Sequence, residues 1–210
     1  MIAVVDAGLG NLRSVCKALA AVAAEEVALV ADARVLATAD RIVVPGQGAF
    51  GDSARALRPD SPLGAAVIAG IAAGKPYLGI CLGLQLLFAS SEEAPGEPGL
   101  AILDGAVQKL PIDAMEDGRR CKLPHIGWAP TSSVGEADAL GAALAGWFYF
   151  VHSYAAVPKD DAVIAARAPF GGDSLVAAVR HDNVLAVQFH PEKSQARGLA
   201  LLSAFCGWKP

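Results

Sequence analysis

The 210-residue chain has few charged residues and no cluster of one sign. Only 18% of its residues are charged, and 17 Lys and Arg against 21 Asp and Glu give a net charge of −4. Proteins that bind the phosphate backbone of nucleic acids carry a basic patch or a basic run. Because this sequence lacks both, we do not expect a nucleic acid partner.

Long hydrophobic runs are also lacking. Charged residues interrupt each apolar stretch before it could span a bilayer, and residues 1–6 lack the basic and apolar regions of a secretory signal. We therefore expect no membrane contact and a cytoplasmic location. Hydrophobic residues nevertheless make up 54% of the chain, which is enough to bury a substantial core. The length predicts one domain over residues 1–210.

Cysteine is sparse, and no two cysteines form a Cys-x-x-Cys pair. The four are Cys16, Cys81, Cys121 and Cys206. Their wide spacing argues against a zinc site and against the disulfide framework of a secreted protein. Any cysteine with a chemical role is therefore expected to act alone.

Apolar runs alternate with amphipathic stretches in the first half of the chain. The pattern predicts buried strands over residues 2–5, 27–30, 42–44 and 76–80, and helices over residues 12–22, 32–39, 63–73 and 82–88. Strands that alternate with helices indicate an α/β fold with a parallel sheet.

The second half has strand-like runs without long helices between them. Strands are predicted over residues 107–110 and 147–154, and a hairpin over residues 175–180 and 184–189 with its turn at residues 181–183. A final helix is predicted over residues 194–205. The fold class is therefore α/β with an antiparallel hairpin in the C-terminal half.

The segment around Cys81 has the pattern of a nucleophile elbow. A predicted strand enters Gly79-x-Cys81-x-Gly83 and leaves as a helix. Small neighbours let the backbone turn tightly and expose the side chain between them. The helix N-terminus favours a thiolate, and its free amides can bind a developing oxyanion. A buried structural cysteine is the alternative, and we assign that role to the other three.

A cysteine nucleophile needs a base, and His190 is the best candidate among the four histidines. It follows an apolar strand and precedes Pro191 and Glu192, so a carboxylate could orient its imidazole. The alternative is a solvent-facing histidine at a strand end. We expect His181 to be a solvated turn residue, and His125 and His152 to pack or form hydrogen bonds in loops.

Two other classes of protein compete with this interpretation. Gly46-x-Gly48-x-x-Gly51 matches a dinucleotide-binding fingerprint, but Pro59 and Pro62 would end the following helix early and Ile71 stands where an acidic residue is expected. A non-catalytic binding module or a peptidase-like hydrolase could also use the elbow. Gln85 and the glycine-rich loop favour a small amide substrate instead.

Several motifs resemble one enzyme family. The segments GICLGLQ at residues 79–85 and QFHPE at residues 188–192 resemble the signatures of triad (class I) glutamine amidotransferases, which have a Rossmann-like three-layer α/β sandwich. The segments DAGLGNL at 6–12, PGQGAF at 45–50, PHIGW at 124–128 and YFVHSY at 149–154 resemble the glutaminase subunits of imidazole glycerol phosphate synthase. The departures from the family pattern are Ala7, Gln47 and Leu84.

The resemblance implies roles for particular residues. Cys81, His190 and Glu192 would form the catalytic triad, and the backbone amides of Leu82 and Gln47 would bind the oxyanion. The glutamine substrate would contact Gly48, Gln85, Glu93, Ser153 and Tyr154, and a partner interface would include Asn11, Trp128, Tyr149 and Lys193.

The resemblance also implies a partner and no metal or organic cofactor. The partner would be a (β/α)₈-barrel cyclase that forms a heterodimer with this chain and consumes its ammonia in histidine biosynthesis. Such a barrel needs about 250 residues. The 210 residues of this chain have no room for it, so we expect the cyclase to be a separate protein.

Overall fold

The computed structural model describes residues 1–8, 12–116, 118–135 and 138–210. The strands are β1 (Ile2–Val5), β2 (Val27–Val30), β3 (Arg41–Gly46), β4 (Tyr77–Cys81), β5 (Gly105–Lys109), β6 (Met115–Glu116), β7 (Arg119–Arg120), β8 (His125–Ser133), β9 (Gly146–His152), β10 (Tyr154–Pro158), β11 (Ile164–Phe170), β12 (Asp173–His181) and β13 (Val184–Val187). The helices are α1 (Leu12–Ala20), α2 (Ala33–Ala37), α3 (Phe50–Ala56), α4 (Pro62–Ala72), α5 (Leu82–Gln85), α6 (Ala139–Leu144) and α7 (Gln195–Gly207).

One mixed sheet organises the described part of the chain. It has nine strands in the order β2-β1-β3-β4-β13-β12-β11-β8-β9. Strands β2, β1, β3, β4 and β13 run parallel to their neighbours in that series. From β13 to β9 each pair is antiparallel. The α/β fold class is confirmed, and the antiparallel part extends beyond the predicted hairpin because β8 and β11, which we did not predict, continue the sheet.

Helices cover both faces of this sheet and produce three layers. Successive side chains of a strand point to opposite faces, so Ile2 and Val4 pack with α1 and α7, while Ala3 and Val5 pack with α2, α3 and α4. The central strands β1, β4 and β13 are buried along their whole length. The strand predicted over residues 27–30 is present as β2, but the prediction that it is buried was wrong, because β2 is an edge strand and Leu29 is 49% exposed.

Two predicted elements differ in extent for identifiable reasons. The helix predicted over residues 82–88 ends at Gln85, because the amides of Leu87 and Phe88 bond only three residues back, to the carbonyls of Leu84 and Gln85. The next carbonyls, of Leu86 and Leu87, accept from the amides of Leu100, Ile102 and Leu103 instead of continuing the helix. The strand predicted over residues 147–154 is two strands that part at Ser153, and the second, β10, pairs with β5 in a separate sheet. Helix α1 also ends at Ala20, two residues before the predicted end.

The predicted C-terminal hairpin is present. Strands β12 and β13 pair from Ala178 opposite Val187 to His181 opposite Val184, with Asp182 and Asn183 in the turn. Asp182 has a φ of +48°, a conformation that Asp tolerates better than most residues. In the part of the chain that the structure describes, no helix combines the length and the hydropathy needed to cross a membrane.

Candidate active site

Cys81 lies at the sharp turn between β4 and α5. Its φ of +55° and ψ of −103° are unusual for a residue with a side chain, and such strain is typical of functional turns. The turn depends on the flanking glycines: a Cβ on Gly79 would lie 2.4 Å from the carbonyl oxygen of Gly83, and a Cβ on Gly83 would lie 1.8 Å from that of Val44. The strand, turn and helix that the sequence predicted therefore meet at this cysteine.

Three neighbouring parallel strands end at the same place. Gly46 of β3 pairs with Cys81, and Val187 of β13 pairs with Ile80, so β13 delivers the following residues beside the cysteine. In α/β proteins the carboxyl ends of parallel strands are the usual location of a ligand site. This arrangement brings Cys81 and His190 together although 109 positions separate them in the sequence.

His190 and Glu192 form a buried pair. Nδ1 of His190 lies 2.8 Å from Oε1 of Glu192, and both side chains are almost fully buried. Burial lowers the pKa of His190, but the interactions of the imidazole with nearby Cys81 and with Glu192 outweigh burial and raise it to about 9. Nε2 makes no hydrogen bond of normal geometry. The imidazole is therefore oriented by Glu192 and protonated at neutral pH, with Nε2 left for the site.

An open cleft of about 400 Å³ lies over this pair. It is lined by Cys81, His190, Leu82 and Gln47, by Lys193, and by the five residues expected to bind substrate: Gly48, Gln85, Glu93, Ser153 and Tyr154. Pro124, Val151 and His152 also line it, although the sequence did not single them out as site residues. Glu192 lies behind His190 and does not reach the cleft.

The polar side chains of the cleft have defined contacts. Oε2 of Glu93 accepts a hydrogen bond of 3.0 Å from the amide of Phe50 at the start of α3, so the carboxylate is held at the cleft. Nε2 of Gln85 donates to the carbonyl of Tyr154 at 2.9 Å and to Oε1 of Gln188 at 3.1 Å. Oε1 of Gln85 is buried without a partner, so it can accept a hydrogen bond from a ligand.

The loop after β3 contacts the elbow. A Cβ on Gly46 would lie 2.4 Å from Cβ of Leu82, and Gly48 has a φ of +110°. Helix α3, which follows the loop, has seven residues, and Ile71 lies in the apolar face of α4. Of the fingerprint glycines, Gly46 thus serves the packing against Leu82 at the start of α5, whereas a Cβ on Gly48 would meet no atom within 4 Å and one on Gly51 would meet Ala94.

His125 and His152 are not loop residues, as the sequence had suggested, but pair across β8 and β9. Nδ1 of His125 lies 3.2 Å from Nε2 of His152, and Nδ1 of His152 lies 2.8 Å from the carbonyl oxygen of Tyr154. Burial lowers the pKa of His152 to about 3, so this histidine is neutral. His181 is exposed, as expected, but it is the last residue of β12 and precedes the turn.

Of the residues expected at a partner interface, two lie on the sheet and one lies at the cleft. Trp128 and Tyr149 are opposite each other on β8 and β9, with ring centroids 6.2 Å apart, and Trp128 is 43% exposed and therefore not a core residue. Lys193 lies at the cleft. Asn11 lies outside the described residues. Ile126 and Trp147 are exposed on the same two strands, and the sequence did not identify them.

Among the residues that the structure describes, no group of three or more His, Cys, Asp and Glu side chains could hold a metal ion.

Comparison with known proteins identifies the family. A model of the family "Glutamine amidotransferase class-I" matches residues 3–206. The "Imidazole glycerol phosphate synthase subunit HisH" of Nitrosospira multiformis is 49% identical, and the match covers 100% of this chain and 98% of the relative. The protein of the same name from Aquifex aeolicus is 47% identical, with 96% and 94% covered.

Solved structures support the fold. A structure described as "Structure of PurLQS from Thermotoga maritima" superposes with a TM-score of 0.74 at 20% identity, covering 98% of this chain and 97% of the other. A "Crystal structure of glutamine amidotransferase" has a TM-score of 0.70 at 23% identity and covers 99% of both chains. With its family match and its near full-length relatives, the chain belongs to the class-I glutamine amidotransferases and groups with the HisH subunits of imidazole glycerol phosphate synthase.

Proposed function

We propose that this chain hydrolyses L-glutamine to glutamate and ammonia through a glutamyl thioester on Cys81. The observation that carries the proposal is the buried His190–Glu192 pair beside a cysteine at a strained elbow, at the floor of an open cleft. A nucleophile, a base and a group that orients the base are the elements of covalent acyl transfer. Membership of the amidotransferase family supports glutamine as the acyl donor.

The reaction begins with an ion pair. A protonated His190 stabilises a thiolate at Cys81 by its charge, and the thiolate attacks the side-chain carboxamide carbon of glutamine. The backbone amides of Leu82 and Gln47 hydrogen-bond the resulting oxyanion; one such donor is worth about 10²–10³ in rate. His190 gives its proton to the nitrogen as the C–N bond breaks, and ammonia leaves. Water, deprotonated by His190, then cleaves the thioester and releases glutamate.

The remaining cleft residues bind the amino acid end of the substrate. Glu93 offers a carboxylate to the α-ammonium group, and Oε1 of Gln85 offers a buried acceptor without a partner in the chain. Ser153 and Tyr154 line the same cleft at the break between β9 and β10, and Gly48 lines it from the loop after β3. These groups hold the carboxamide against Cys81, so that the attack within the enzyme–substrate complex is effectively unimolecular.

Ammonia is transferred to a separate cyclase subunit with which the chain forms a heterodimer. The relatives from Nitrosospira multiformis and Aquifex aeolicus are each named as one subunit of imidazole glycerol phosphate synthase. Strand β9 is an edge strand, and the exposed face of β8 and β9 presents Ile126, Trp128 and Trp147 to solvent. Exposed apolar patches of this kind mark interaction sites. The cyclase would use the ammonia to form imidazole glycerol phosphate and an aminoimidazole carboxamide nucleotide in histidine biosynthesis.

The Cys81→Ala variant tests the proposal in the reconstituted complex with the cyclase. Glutamine-dependent synthesis should be lost, whereas synthesis supplied with ammonium salt should equal that of the unmodified complex, because the triad only generates ammonia. Cys121→Ala is the matched control and should leave both activities unchanged. Glutamine hydrolysis near the original rate in Cys81→Ala would refute the assignment of the nucleophile.

A further inference from the structure

Gln188 is a buried polar residue in contact with the nucleophile. Its side chain is fully buried, and its Nε2 lies 3.6 Å from Sγ of Cys81, within hydrogen-bond distance for sulfur. It follows β13, beside the end of β4 that carries Cys81. Gln188 is not among the residues that line the cleft. Its amide therefore reaches the sulfur from behind, on the side away from the substrate.

The carbonyl of Tyr154 determines which end of the amide faces the sulfur. A carbonyl oxygen can only accept hydrogen bonds, so Gln85 must present its Nε2 to Tyr154, at 2.9 Å. The same nitrogen is 3.1 Å from the Gln188 side chain, which must therefore present Oε1 to it. The NH₂ group of Gln188 is left on the other side, and it points at Cys81.

The tautomers of His152 and His125 keep this arrangement in place. His152 is neutral, since burial lowers its pKa to about 3, and its Nδ1 must carry the hydrogen that is donated to the Tyr154 carbonyl at 2.8 Å. Its Nε2 then accepts from Nδ1 of His125 at 3.2 Å. The carbonyl of Tyr154 is thus held by donors from two sides, His152 and Gln85. Of these two donors, Gln85 also donates to Oε1 of Gln188 and thereby selects a single orientation of the Gln188 amide.

The position of the donor determines what it does. A neutral thiol is a weak acceptor, whereas a thiolate is charged, and hydrogen bonds to charged groups are about twice as strong as neutral ones. An N–H group that is fixed on the sulfur therefore stabilises the thiolate more than the thiol. The thiolate of Cys81 exists before the attack on glutamine and forms again when the thioester is hydrolysed, so the donor stabilises it at both points.

We propose that Gln188 is a further catalytic residue of the glutaminase: its side-chain N–H donates a hydrogen bond to Sγ of Cys81 and stabilises the thiolate without contacting the substrate. The proposal rests on the function proposed above. It predicts that loss of the donor lowers kcat and leaves the KM for glutamine unchanged. A residue that bound glutamine would show the reverse pattern, because it would mainly raise KM.

Two variants test the donor. Gln188→Met keeps an unbranched side chain of similar length and removes the N–H group. Gln188→Glu keeps an oxygen to accept from Gln85 and puts a carboxylate oxygen on the sulfur. Gln108→Met is the control, since Gln108 is exposed on β5 away from the cleft. The first measurement is steady-state glutamine hydrolysis by the complex with the cyclase.

The expected result for Gln188→Met is a fall in kcat of about ten- to hundredfold, the range for a hydrogen bond to a charged group, at the acidic pH values where the thiolate must still form, with KM within about twofold. Gln188→Glu should lose more once pH rises enough to ionise the buried carboxyl, because the carboxylate then repels the thiolate. Gln108→Met should match the original protein. An unchanged kcat in folded Gln188→Met, or a raised KM with the original kcat, would overturn the proposal. If Gln188→Met does not fold, the same comparison is decided by Gln188→Glu.

A second measurement needs neither glutamine nor the cyclase. The rate of Cys81 carboxamidomethylation by iodoacetamide, followed by peptide mass spectrometry, reports the thiolate directly as a function of pH. Its midpoint should move up by about one pH unit in Gln188→Met, which corresponds to a tenfold loss of thiolate stabilisation. An unmoved midpoint contradicts the donor. This assay stands even if the original protein fails to hydrolyse glutamine, so failure of the proposed function can be told apart from failure of the Gln188 contact.

Discussion

Replacement of Gly83 by alanine should damage both the stability and the activity of the protein. The added Cβ would lie 1.8 Å from the carbonyl oxygen of Val44 and 2.9 Å from its carbonyl carbon. Real Cβ atoms essentially never approach within 3.0 Å, so α5 and β3 must separate by at least about 1 Å. The position of the Cβ is set by the backbone of α5 and the atom it meets belongs to the backbone of β3, both in the buried interior, so no side-chain rotation can relieve the contact.

The magnitude follows from this geometry. Overpacking of a core costs typically 1–3 kcal/mol, and a contact between two backbone segments belongs at the upper end, about 3 kcal/mol. For a chain of this length each kcal/mol lowers Tm by about 2–4 °C, so a fall of about 6–12 °C is expected. The shift also moves Cys81 and the amide of Leu82, and a displacement of about 1 Å at a reacting centre can cost about 10²-fold in rate.

Gly207→Ala provides the matched control. It makes the same chemical change in α7, where an added Cβ meets no atom within 4 Å and φ is not in the left-handed region. Its Tm and activity should therefore stay close to those of the original protein. Calorimetry and glutamine hydrolysis by the complex measure the two effects. If Gly83→Ala had the same Tm and kcat as Gly207→Ala, the packing argument for the elbow would be refuted.

Two further predictions concern His190 and Trp128. The pKa of His190 is raised from the ordinary 6.5 to about 9 in the folded chain, so its contribution to stability is complete below about pH 6.5 and is lost as pH rises towards about 9. Urea unfolding across this range should show a steeper decline for the original protein than for His190→Asn, and equal declines would contradict the assigned pKa. Trp128→Ala should weaken binding of the cyclase by more than about 1 kcal/mol with the Tm of the free chain unchanged, since Trp128 is exposed; Trp208→Ala, at a buried site, should lower Tm. A Tm loss in Trp128→Ala with the original affinity would instead identify a core residue.

Local sequence patterns were sufficient for the first half of the fold. The strands β1 and β3 and the helix α4 lie close to where hydrophobic periodicity and the flanking turn residues indicated them. These signals are local, because a period of two or of 3.6 residues is complete within one element. Hydrophobic patterns failed to predict strands whose formation depends on pairing with strands that are distant in the sequence. Strands β8 and β11 have no distinctive period and exist because they extend a sheet that begins far away in the chain.

Residue types and short spacings also indicated the chemistry of the site. Glycines on both sides of Cys81 predicted a tight turn, and the order of His190, Pro191 and Glu192 predicted an oriented base, since both motifs act over a few residues. The sequence by itself therefore determined the fold class, the cysteine at the elbow and the histidine with its carboxylate.

Only the tertiary structure decided how distant residues meet. Gln188 stands within a motif, but nothing local to it shows that β13 lies beside β4 or that its amide faces Cys81. The contact of His125 with His152 depends in the same way on the pairing of β8 with β9. The clash that makes Gly83 of α5 necessary is with Val44, on the separate strand β3. Sheet order and close packing bring these groups together over long stretches of chain, and no local pattern in the sequence encodes those distances.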